Sequence, residues 1–512
     1  MMRKPFIPFG EGRRGLGLML CLLLLPLAMQ ANTSSNRTSL STISEAQAQQ
    51  LGDLWMLHDG RITSVSAFAH DFTMKLTGKD HFAYMNAEQF LAGFLFFPDE
   101  WQHVALFNIK DPTMKTLLNA ETQRASFADF FDADNNYKLA TQPRTKEVDK
   151  LSDKIQLINM LHSGAPLQLF PLPANGKLHW YYPTENFPLS EKQENITFVR
   201  TILNAYYSAL HSGNEAQADS ILRSIKDFQQ QNAGDFLPSE MHKRAETLYR
   251  QHNIIPMLFK INLTAGILAL LFFFVLNNEK RRNFFSRLFF IMLIHSFCFL
   301  TLSIALRTYI GGRLPFASGF ETMLLLAWIA MLAAWIFRRR IPLALPFGLL
   351  VSGCALLVAH LGIMNPKITP LVPVLSSPLL SLHVSVIMIS YVLLAFTALN
   401  GLVALLMFAV SKDEAVLLQA QRNTLLCLRP ALYLLGTGIF IGAVWANVSW
   451  GSYWSWDPKE VWALITFMTY AFSLHKRDFS LITFHLFVVA AFATVMITYF
   501  GVNYFFGGMH GY

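Results

Sequence analysis

The stretch WGSYWSWDPKEVW, residues 450–462, stands out from the rest of the sequence. Together with Trp445 it contains five of the ten tryptophans in the chain. An ordinary membrane-interface belt places one or two aromatic residues at each helix end, so it does not explain this density. The cluster predicts that something flat and apolar is held here.

The tryptophan-rich stretch lies between two apolar runs, residues 432–444 and 461–474, and residues 445–462 are therefore predicted to form a loop at one membrane face. Its end has the features of a helix start. Asp457 can cap the free amides, Pro458 suits the first helical position and Glu460 completes a capping box. Capping alone would account for these three residues, but not for the tryptophans.

The composition predicts an all-α polytopic membrane protein. Of 512 residues, 53% are hydrophobic and 14% charged, and the chain is long enough for a membrane domain and a soluble one. The net charge of +8 comes from basic residues between apolar spans, which indicates topology and not nucleic-acid binding. The cysteines (21, 298, 354 and 427) form no CxxC pair, and the absence of CxxCH means that the chain is not itself a c-type cytochrome.

Three regions are predicted along the chain. Residues 1–31 are basic and then apolar, as in a signal peptide or an N-terminal anchor. Residues 32–255 are of mixed polarity and are predicted to be an exported soluble domain of mainly helical character. Residues 256–512 are predicted to be the membrane domain.

Eight spans of about 20 residues are predicted in the membrane domain: residues 256–276, 288–306, 321–337, 341–362, 380–410, 430–446, 459–474 and 480–503. If residue 255 is outside, the most basic connections all fall inside, as the positive-inside rule requires. These connections are residues 279–287, 338–340, 412–429 and 476–478. The tryptophan-rich loop then lies outside, beside the exported domain.

The segment WGSYWSWDPKEVWALITF resembles the tryptophan-rich WWD signature of haem-handling proteins in cytochrome c maturation, and most of all the CcsA (ResC) family of the System II pathway. The resemblance covers residues 256–512 well and the earlier part more weakly. Residues 57–69 resemble the periplasmic part of the larger fused CcsBA proteins. The location implied is the bacterial inner membrane, with residues 32–255 and the loop on the periplasmic side.

Two histidines are predicted on the same face as the tryptophans. His383 opens a span at its outer end and His510 follows the last span. A haem iron with two axial imidazoles needs ligands from different segments, and this pair meets that demand. In the CcsA family, histidines in matching contexts flank the loop and bind the periplasmic haem, which implies that role for His383 and His510.

His475 ends the span after the loop and faces the other side of the membrane. The resemblance implies that it binds a second haem within the membrane, opposite a histidine of a CcsB (ResB) subunit. No such partner histidine is recognisable in this chain, so a separate CcsB-like partner is predicted. His295, His360 and His485 match no family motif, and side-chain packing is the default interpretation for them.

The segment RTYIGGRLPFASGFET, residues 307–322, resembles another family segment. Arg307 and Arg313 are candidates to pair with the two haem propionates, because a guanidinium binds a carboxylate in a bidentate way. The alternative is that they are interface anchors. Glu321 is predicted to be a cap or a structural partner.

The resemblance implies a function in covalent haem attachment. Haem b, as substrate, would be displayed outside against Trp450, Trp454 and Trp456, with Asp457 in the same site, and attached through thioether bonds to the CxxCH of apocytochromes c. The chain would act within a CcsB–CcsA holocytochrome c synthase, in membrane lipid and with a thiol-reducing thioredoxin-like protein. The alternatives are a CcmC- or CcmF-type haem protein, a non-haem polytopic transporter and an assembly scaffold.

Overall fold

The computed structural model describes residues 40–120, 123–174, 177–276, 278–361, 366–371, 373–475 and 479–506. Contacts separate residues 1–41 from one compact unit, residues 42–512, which is the unit described below. The predicted signal or anchor at residues 1–31 and the predicted ligand His510 both lie outside the described residues.

The N-terminal part (residues 42–254) is mainly helical and carries three two-stranded antiparallel sheets in its described residues. Its helices are α1 (Glu45–Gly52), α2 (Val65–Thr77), α3 (Ala87–Phe96), α4 (Pro98–Trp101), α5 (Pro112–Leu117), α6 (Lys146–His162), α7 (Gln193–His211), α8 (Glu215–Ala233) and α9 (Glu240–Gln251). Its strands are β1 (Trp55–His58), β2 (Arg61–Ser64), β3 (Phe107–Asn108), β4 (Arg124–Ala125), β5 (Phe170–Ala174) and β6 (Lys177–Tyr181).

A tight turn joins β1 to β2. Asp59 and Gly60 have φ angles of 51° and 75°, as a two-residue hairpin with a right-handed twist requires, and His58 pairs with Arg61. Ser64 ends β2 and caps α2, since its side chain accepts from the Ala67 amide.

In its described residues, the membrane part (residues 255–506) has eight α-helices, one short 3-10 helix (Pro373–Ser376) and a final π-helical segment. These are α10 (Ile255–Val275), α11 (Glu279–Gly311), α12 (Gly319–Phe337), α13 (Ala344–His360), α14 (Pro378–Ser411), α15 (Glu414–Trp450), α16 (Pro458–His475), α17 (Leu481–Met496) and the π segment (Ile497–Phe506). Within the described residues, six are long and apolar enough to cross a membrane: α10, α11, α12, α14, α15, and α17 with its π segment. The predicted fold class, an all-α polytopic membrane protein, is confirmed.

Helices α13 and α16 are not among those six. α13 is apolar but only 17 residues long, and α16 has the charged residues Lys459 and Glu460 in its first turn, directly after Pro458. Eight helices therefore lie where eight spans were predicted, and the crossing of α13 and α16 stays a prediction.

Two helices are longer than predicted. Residues 279–287 and 414–429, expected to lie in connections, are helical, because Asn278 and Asp413 cap α11 and α15 at earlier points. Pro430 lies inside α15. These polar stretches therefore belong to helices and do not mark loops.

α14 and α15 run antiparallel along each other. Hydrogen bonds join His383 to Gly438, Ser390 to Ala431 and Asn400 to Ala420. The start of α14, the end of α15 and the start of α16 therefore lie at one end of the bundle, which we call the tryptophan end.

Candidate functional site at the tryptophan end

The predicted tryptophan loop is shorter in the structure than in the sequence interpretation. Trp445 and Trp450 belong to α15, which ends at Trp450, and the non-helical segment is residues 451–457. Gly451 has a φ of 79° and donates its amide to the Asn447 carbonyl at 2.9 Å, which ends the helix in the left-handed conformation that glycine tolerates. The loop prediction for residues 445–450 was wrong, because the helix continues to this glycine.

The predicted capping residues form the start of α16. Asp457 is buried, and its Oδ1 accepts the Lys459 amide at 2.9 Å. Glu460 reaches back, and its Oε2 accepts the amides of Ser455 at 2.9 Å and Asp457 at 3.3 Å. Capping thus accounts for these contacts, and a haem contact for Asp457 stays a prediction.

The tryptophans form two edge-to-face pairs. The rings of Trp445 and Trp450 lie 4.8 Å apart, and those of Trp454 and Trp456 lie 6.0 Å apart. Trp445 is buried, whereas Trp456 is 74% exposed. Trp456 also has a φ of 59°, a strained conformation for a bulky side chain, and such strain tends to collect at functional sites. The bundle therefore presents an indole outward at a cost in backbone energy.

His383 lies in the second turn of α14, packed against α15. Its Nδ1 donates to the Gly438 carbonyl oxygen at 2.7 Å. A Cβ added at Gly442 would lie 2.7 Å from the His383 Cε1, so the imidazole fills the space left by this glycine. With the proton on Nδ1, the ring presents Nε2 as its lone-pair nitrogen, the arrangement found in metal-binding histidines.

Gly438 and Gly442 were missed in the sequence interpretation. They form a G-x-x-x-G pattern on α15, which allows close approach of two helices in a membrane. A Cβ at Gly438 would lie 2.5 Å from the Ile387 Cδ1 on α14. The two glycines therefore make room for the side chains of His383 and Ile387, which lie one helical turn apart on α14. The G-x-x-x-G pattern was the sequence signal that could have predicted this contact.

The described end of the chain returns to the tryptophan end. The ring of Phe506 stacks on Trp462 with centroids 6.3 Å apart, and Lys459 Nζ donates to Asn503 Oδ1 at 2.8 Å. Residues 497–506 are π-helical, a form often found at functional sites. His510 lies outside the described residues, four positions after Phe506.

Arg307 and Glu321 form a buried ion pair, each 1% exposed. The Nε and Nη2 of Arg307 donate to Glu321 Oε1 at 3.1 and 3.0 Å, and the remaining donors bond the Tyr249 hydroxyl and the carbonyls of Pro366 and Lys367. All five N–H donors are thus committed to protein acceptors. No contact here supports the predicted propionate role of Arg307, which remains a prediction.

Arg313 joins the same network. Its Nη1 donates to Glu321 Oε2 at 2.9 Å and its Nη2 to Glu321 Oε1 at 3.1 Å. Glu321 also completes a capping box with Ser318 at the start of α12. Glu321 is therefore both a cap and a structural partner, as predicted, and the predicted propionate contact of Arg313 stays a prediction.

The N-terminal part contacts the same loop that Arg307 holds. Lys367 Nζ lies 2.7 Å from Asp59 Oδ2 at the tip of the β1–β2 hairpin, and a Cβ at Gly60 would lie 3.3 Å from Pro370. The Tyr249 hydroxyl oxygen on α9 accepts a hydrogen bond from Arg307 Nη1 at 3.1 Å. The loop that leads into α14 is thus bound both by the N-terminal part, through Asp59, and by the membrane part, through Arg307.

A second ion network lies inside the N-terminal part. Glu246 accepts from Arg61, from Thr63 at 2.9 Å and from Arg250, which also pairs with Asp71. Burial acts to raise the pKa of Glu246, but the Arg61 hydrogen bond and the charges of Arg250 and Arg61 bring it below its ordinary value. The carboxylate form of Glu246 is therefore stabilised by folding.

The chain is similar to proteins of known family. Residues 317–510 match the family model described as cytochrome C assembly protein. The CcsA protein of Guillardia theta is 32% identical over 245 residues, which is 42% of this chain and 81% of that protein. The chain belongs to the CcsA family of cytochrome c biogenesis proteins.

Other CcsA-related proteins extend the comparison. Protein NrfI of Wolinella succinogenes is 34% identical over 489 residues, covering 88% of this chain and 53% of NrfI. The CcsA protein of Chlamydomonas reinhardtii is 33% identical over 228 residues, covering 42% of this chain and 65% of that protein. The chain thus spans about half the length of NrfI, and the NrfI similarity reaches beyond the membrane part.

The four other histidines in the described membrane part of this CcsA-family chain have contacts different from those of His383. His475 is the exposed last residue of α16, at the end opposite the tryptophans. The Nδ1 of His295 donates to the Ile291 carbonyl oxygen of its own helix at 2.8 Å, and the ring of His360 stacks on Phe259. His485 is buried and its Nε2 bonds the Leu417 carbonyl at 3.0 Å. The contacts of the last three agree with packing.

Proposed function

We propose that this chain acts in cytochrome c maturation by binding haem at the tryptophan end and promoting its covalent attachment to apocytochromes c. Membership of the CcsA family supports the process. The observation that carries the site is the position of His383, whose Nδ1 proton is held by Gly438 within the bundle end that exposes Trp456.

The haem is a substrate, and the proposed species is haem b. His383 would bind the iron through Nε2, with His510 as the second axial ligand. Phe506 lies beside Trp462, and four residues reach at most about 14 Å, so the chain length allows His510 to serve this end. Trp450, Trp454 and Trp456 would cover the porphyrin with apolar surface, and Asp457 would hold the loop in place.

In the attachment reaction, the protein has to position the haem vinyl groups and the cysteine thiols, and the reacting atoms belong to haem and thiol. Each cysteine S–H of the CxxCH adds across a haem vinyl C=C. A C–S bond forms at the carbon attached to the ring, and the proton and the π electrons become a C–H bond on the terminal carbon. No oxidant or reductant is consumed, so the work of this chain is to hold haem and thiols close together.

The proposed assembly includes a CcsB-like membrane subunit, an apocytochrome c and a thiol-reducing thioredoxin-like protein. The proposed location is the bacterial inner membrane, with the N-terminal part and the tryptophan end on the periplasmic side. The basic residues 338–340, 422 and 429 lie toward the opposite end of the bundle, which supports this orientation.

A spectrum tests the proposal. The chain, purified from membranes with its partner subunit, is expected to show a six-coordinate bis-histidine haem, and His383→Ala should remove that signal and abolish cytochrome c maturation. His295→Ala is the matched control, since its ring bonds only within its own helix in the described structure. If His383→Ala kept both the bis-histidine signal and cytochrome c maturation, the assignment of His383 as an iron ligand would be wrong.

A further inference from the structure

A cleft opens beside α15 at the end of the bundle away from the tryptophans. Its volume is about 340 Å³, and its lining is Arg422, Leu425, Leu426, Arg429 and Pro430. Pro430 has no amide proton for the Leu426 carbonyl, and its ring disturbs the preceding turn. The cleft thus combines two cationic side chains with an apolar wall.

The two arginines of the cleft differ from those at the tryptophan end. Arg307 and Arg313 are bound to Glu321, whereas Arg422 and Arg429 make no hydrogen bond or ion pair with any residue in the described ranges. They are seven residues apart on one helix face, about 10 Å along the axis. This spacing suits a ligand with two separate anionic groups on an apolar body.

Contacts between α15 and α16 place His475 at the same level along the bundle axis as Arg429. A Cβ at Gly436 would lie 3.2 Å from the Phe467 ring, which sets the register of these antiparallel helices. His475 is eight residues after Phe467, about 12 Å along α16, and eight residues before Gly436 is Leu428, next to Arg429. Gly436, Arg429 and Arg422 repeat every seven residues, so both arginines lie on the stripe that faces α16.

We propose that Arg422 and Arg429 bind the two propionate carboxylates of a haem whose iron is held by His475. This inference rests on the proposed function, and it adds the residues that receive haem at the inner end. A guanidinium pairs with a carboxylate through two parallel N–H···O bonds, and Leu425 and Leu426 offer the apolar contact for the porphyrin edge. Arg422 and Arg429 are positioning residues that act on the substrate away from its iron.

Haem binding in a background without the outer ligand tests this. The full chain and its partner subunit, carrying His383→Ala and stripped of haem, are placed in nanodiscs of zwitterionic lipid. They are titrated anaerobically with ferrous haem or with haem dimethyl ester, and the Soret band reports binding. We expect free haem to bind roughly tenfold or more tightly than the ester, since each lost pair removes a charge-assisted hydrogen bond.

The double variant Arg422→Gln with Arg429→Gln should bind haem and ester equally weakly. Lysines at both positions should restore part of the preference. The matched control is Arg339→Gln with Arg340→Gln, two exposed arginines at the turn between α12 and α13 that do not line the cleft. This control should keep the full preference for free haem.

Three results would overturn the inference. Equal binding of haem and ester before substitution would show that no carboxylate is recognised. An unchanged preference in the Arg422/Arg429 variant would place the carboxylates elsewhere. If the Arg422/Arg429 variant lost co-purified phosphatidylglycerol but still bound haem normally, the cleft would be a lipid-binding site. Absence of any inner haem, with His475→Ala identical to the parent, would instead disprove the prediction that His475 is a haem ligand, and the site proposed at the tryptophan end would stand.

Discussion

The imidazole of His383 occupies the space that a side chain at Gly442 would fill, with its Nδ1 2.7 Å from the carbonyl oxygen of Gly438 one turn earlier on α15. Two backbone positions on one helix therefore set both the place and the tautomer of the proposed ligand on its neighbour. The fit has no spare room, because protein interiors are close-packed.

Gly442→Ala is expected to displace the His383 ring. The new Cβ would lie 2.7 Å from Cε1 and 2.8 Å from Nδ1, and relieving such overpacking costs about 1–3 kcal/mol. We expect at least a tenfold loss of haem affinity at the tryptophan end, measured by Soret titration. Gly436→Ala, which meets only the edge of Phe467 at 3.2 Å, should leave that affinity unchanged. An equal loss of haem affinity in both variants would contradict the packing of His383 against Gly442.

Trp456→Gly separates function from stability. Glycine relieves the φ of 59°, so the free energy of unfolding should be unchanged or rise by about 1 kcal/mol, while the indole offered to haem is lost. Haem affinity and cytochrome c maturation should fall together. Trp445→Ala provides the contrast, because this buried ring should cost about 3–5 kcal/mol of stability. Normal maturation by Trp456→Gly would remove this indole from the site.

Glu321→Gln leaves the buried guanidinium of Arg307 without its counter-charge. We expect the free energy of unfolding to fall by about 3–5 kcal/mol, followed by thermal unfolding in detergent. Arg313→Gln should cost less, because its side chain is partly exposed and Arg307 remains. Replacing Arg307 and Glu321 together by methionine should destabilise less than Glu321→Gln alone. A larger loss in the double variant would show that the pair is net stabilising.

Acid should weaken α9 and the β1–β2 hairpin before the rest of the N-terminal part. The pKa of Glu246 is lower in the folded chain than its ordinary value of 4.5, so its contribution is full above that pH and is lost as the pH falls through the folded pKa. Pulse-labelling hydrogen exchange on the full chain should show early opening of residues 55–64 and 240–251 at acid pH. Glu246→Gln should lose that pH dependence and be less stable at neutral pH.

The sequence predicts the membrane part well because apolar length and capping residues act locally. Six of the eight described helices start within three residues of the predicted positions, α11 and α15 being the exceptions, and Asp457 and Glu460 cap α16 as expected. Charge misled the prediction of connections, since Arg422 and Arg429 lie inside α15 and not in a connection. The Asp59-Gly60 hairpin turn was a readable signal that was not used.

The candidate site was only partly predictable. His383 could be assigned from its place at the start of a span, but the roles of Gly438 and Gly442 depend on which helix packs beside it. The same holds for Arg307, whose acceptors come from α9, α12 and the loop before α14. The local sequence pattern does not show which distant segments of the chain will contact each other.

The contacts of Tyr249 with Arg307 and of Asp59 with Lys367 bear on how this molecule can be divided. A gene that encodes only the residues after 254 would leave the buried guanidinium of Arg307 without its phenol acceptor and the ammonium of Lys367 without its carboxylate. Production of the two halves from separate genes would then succeed only if they reassociate at the membrane surface, so co-expression in trans is the way to recover a working molecule from the pieces.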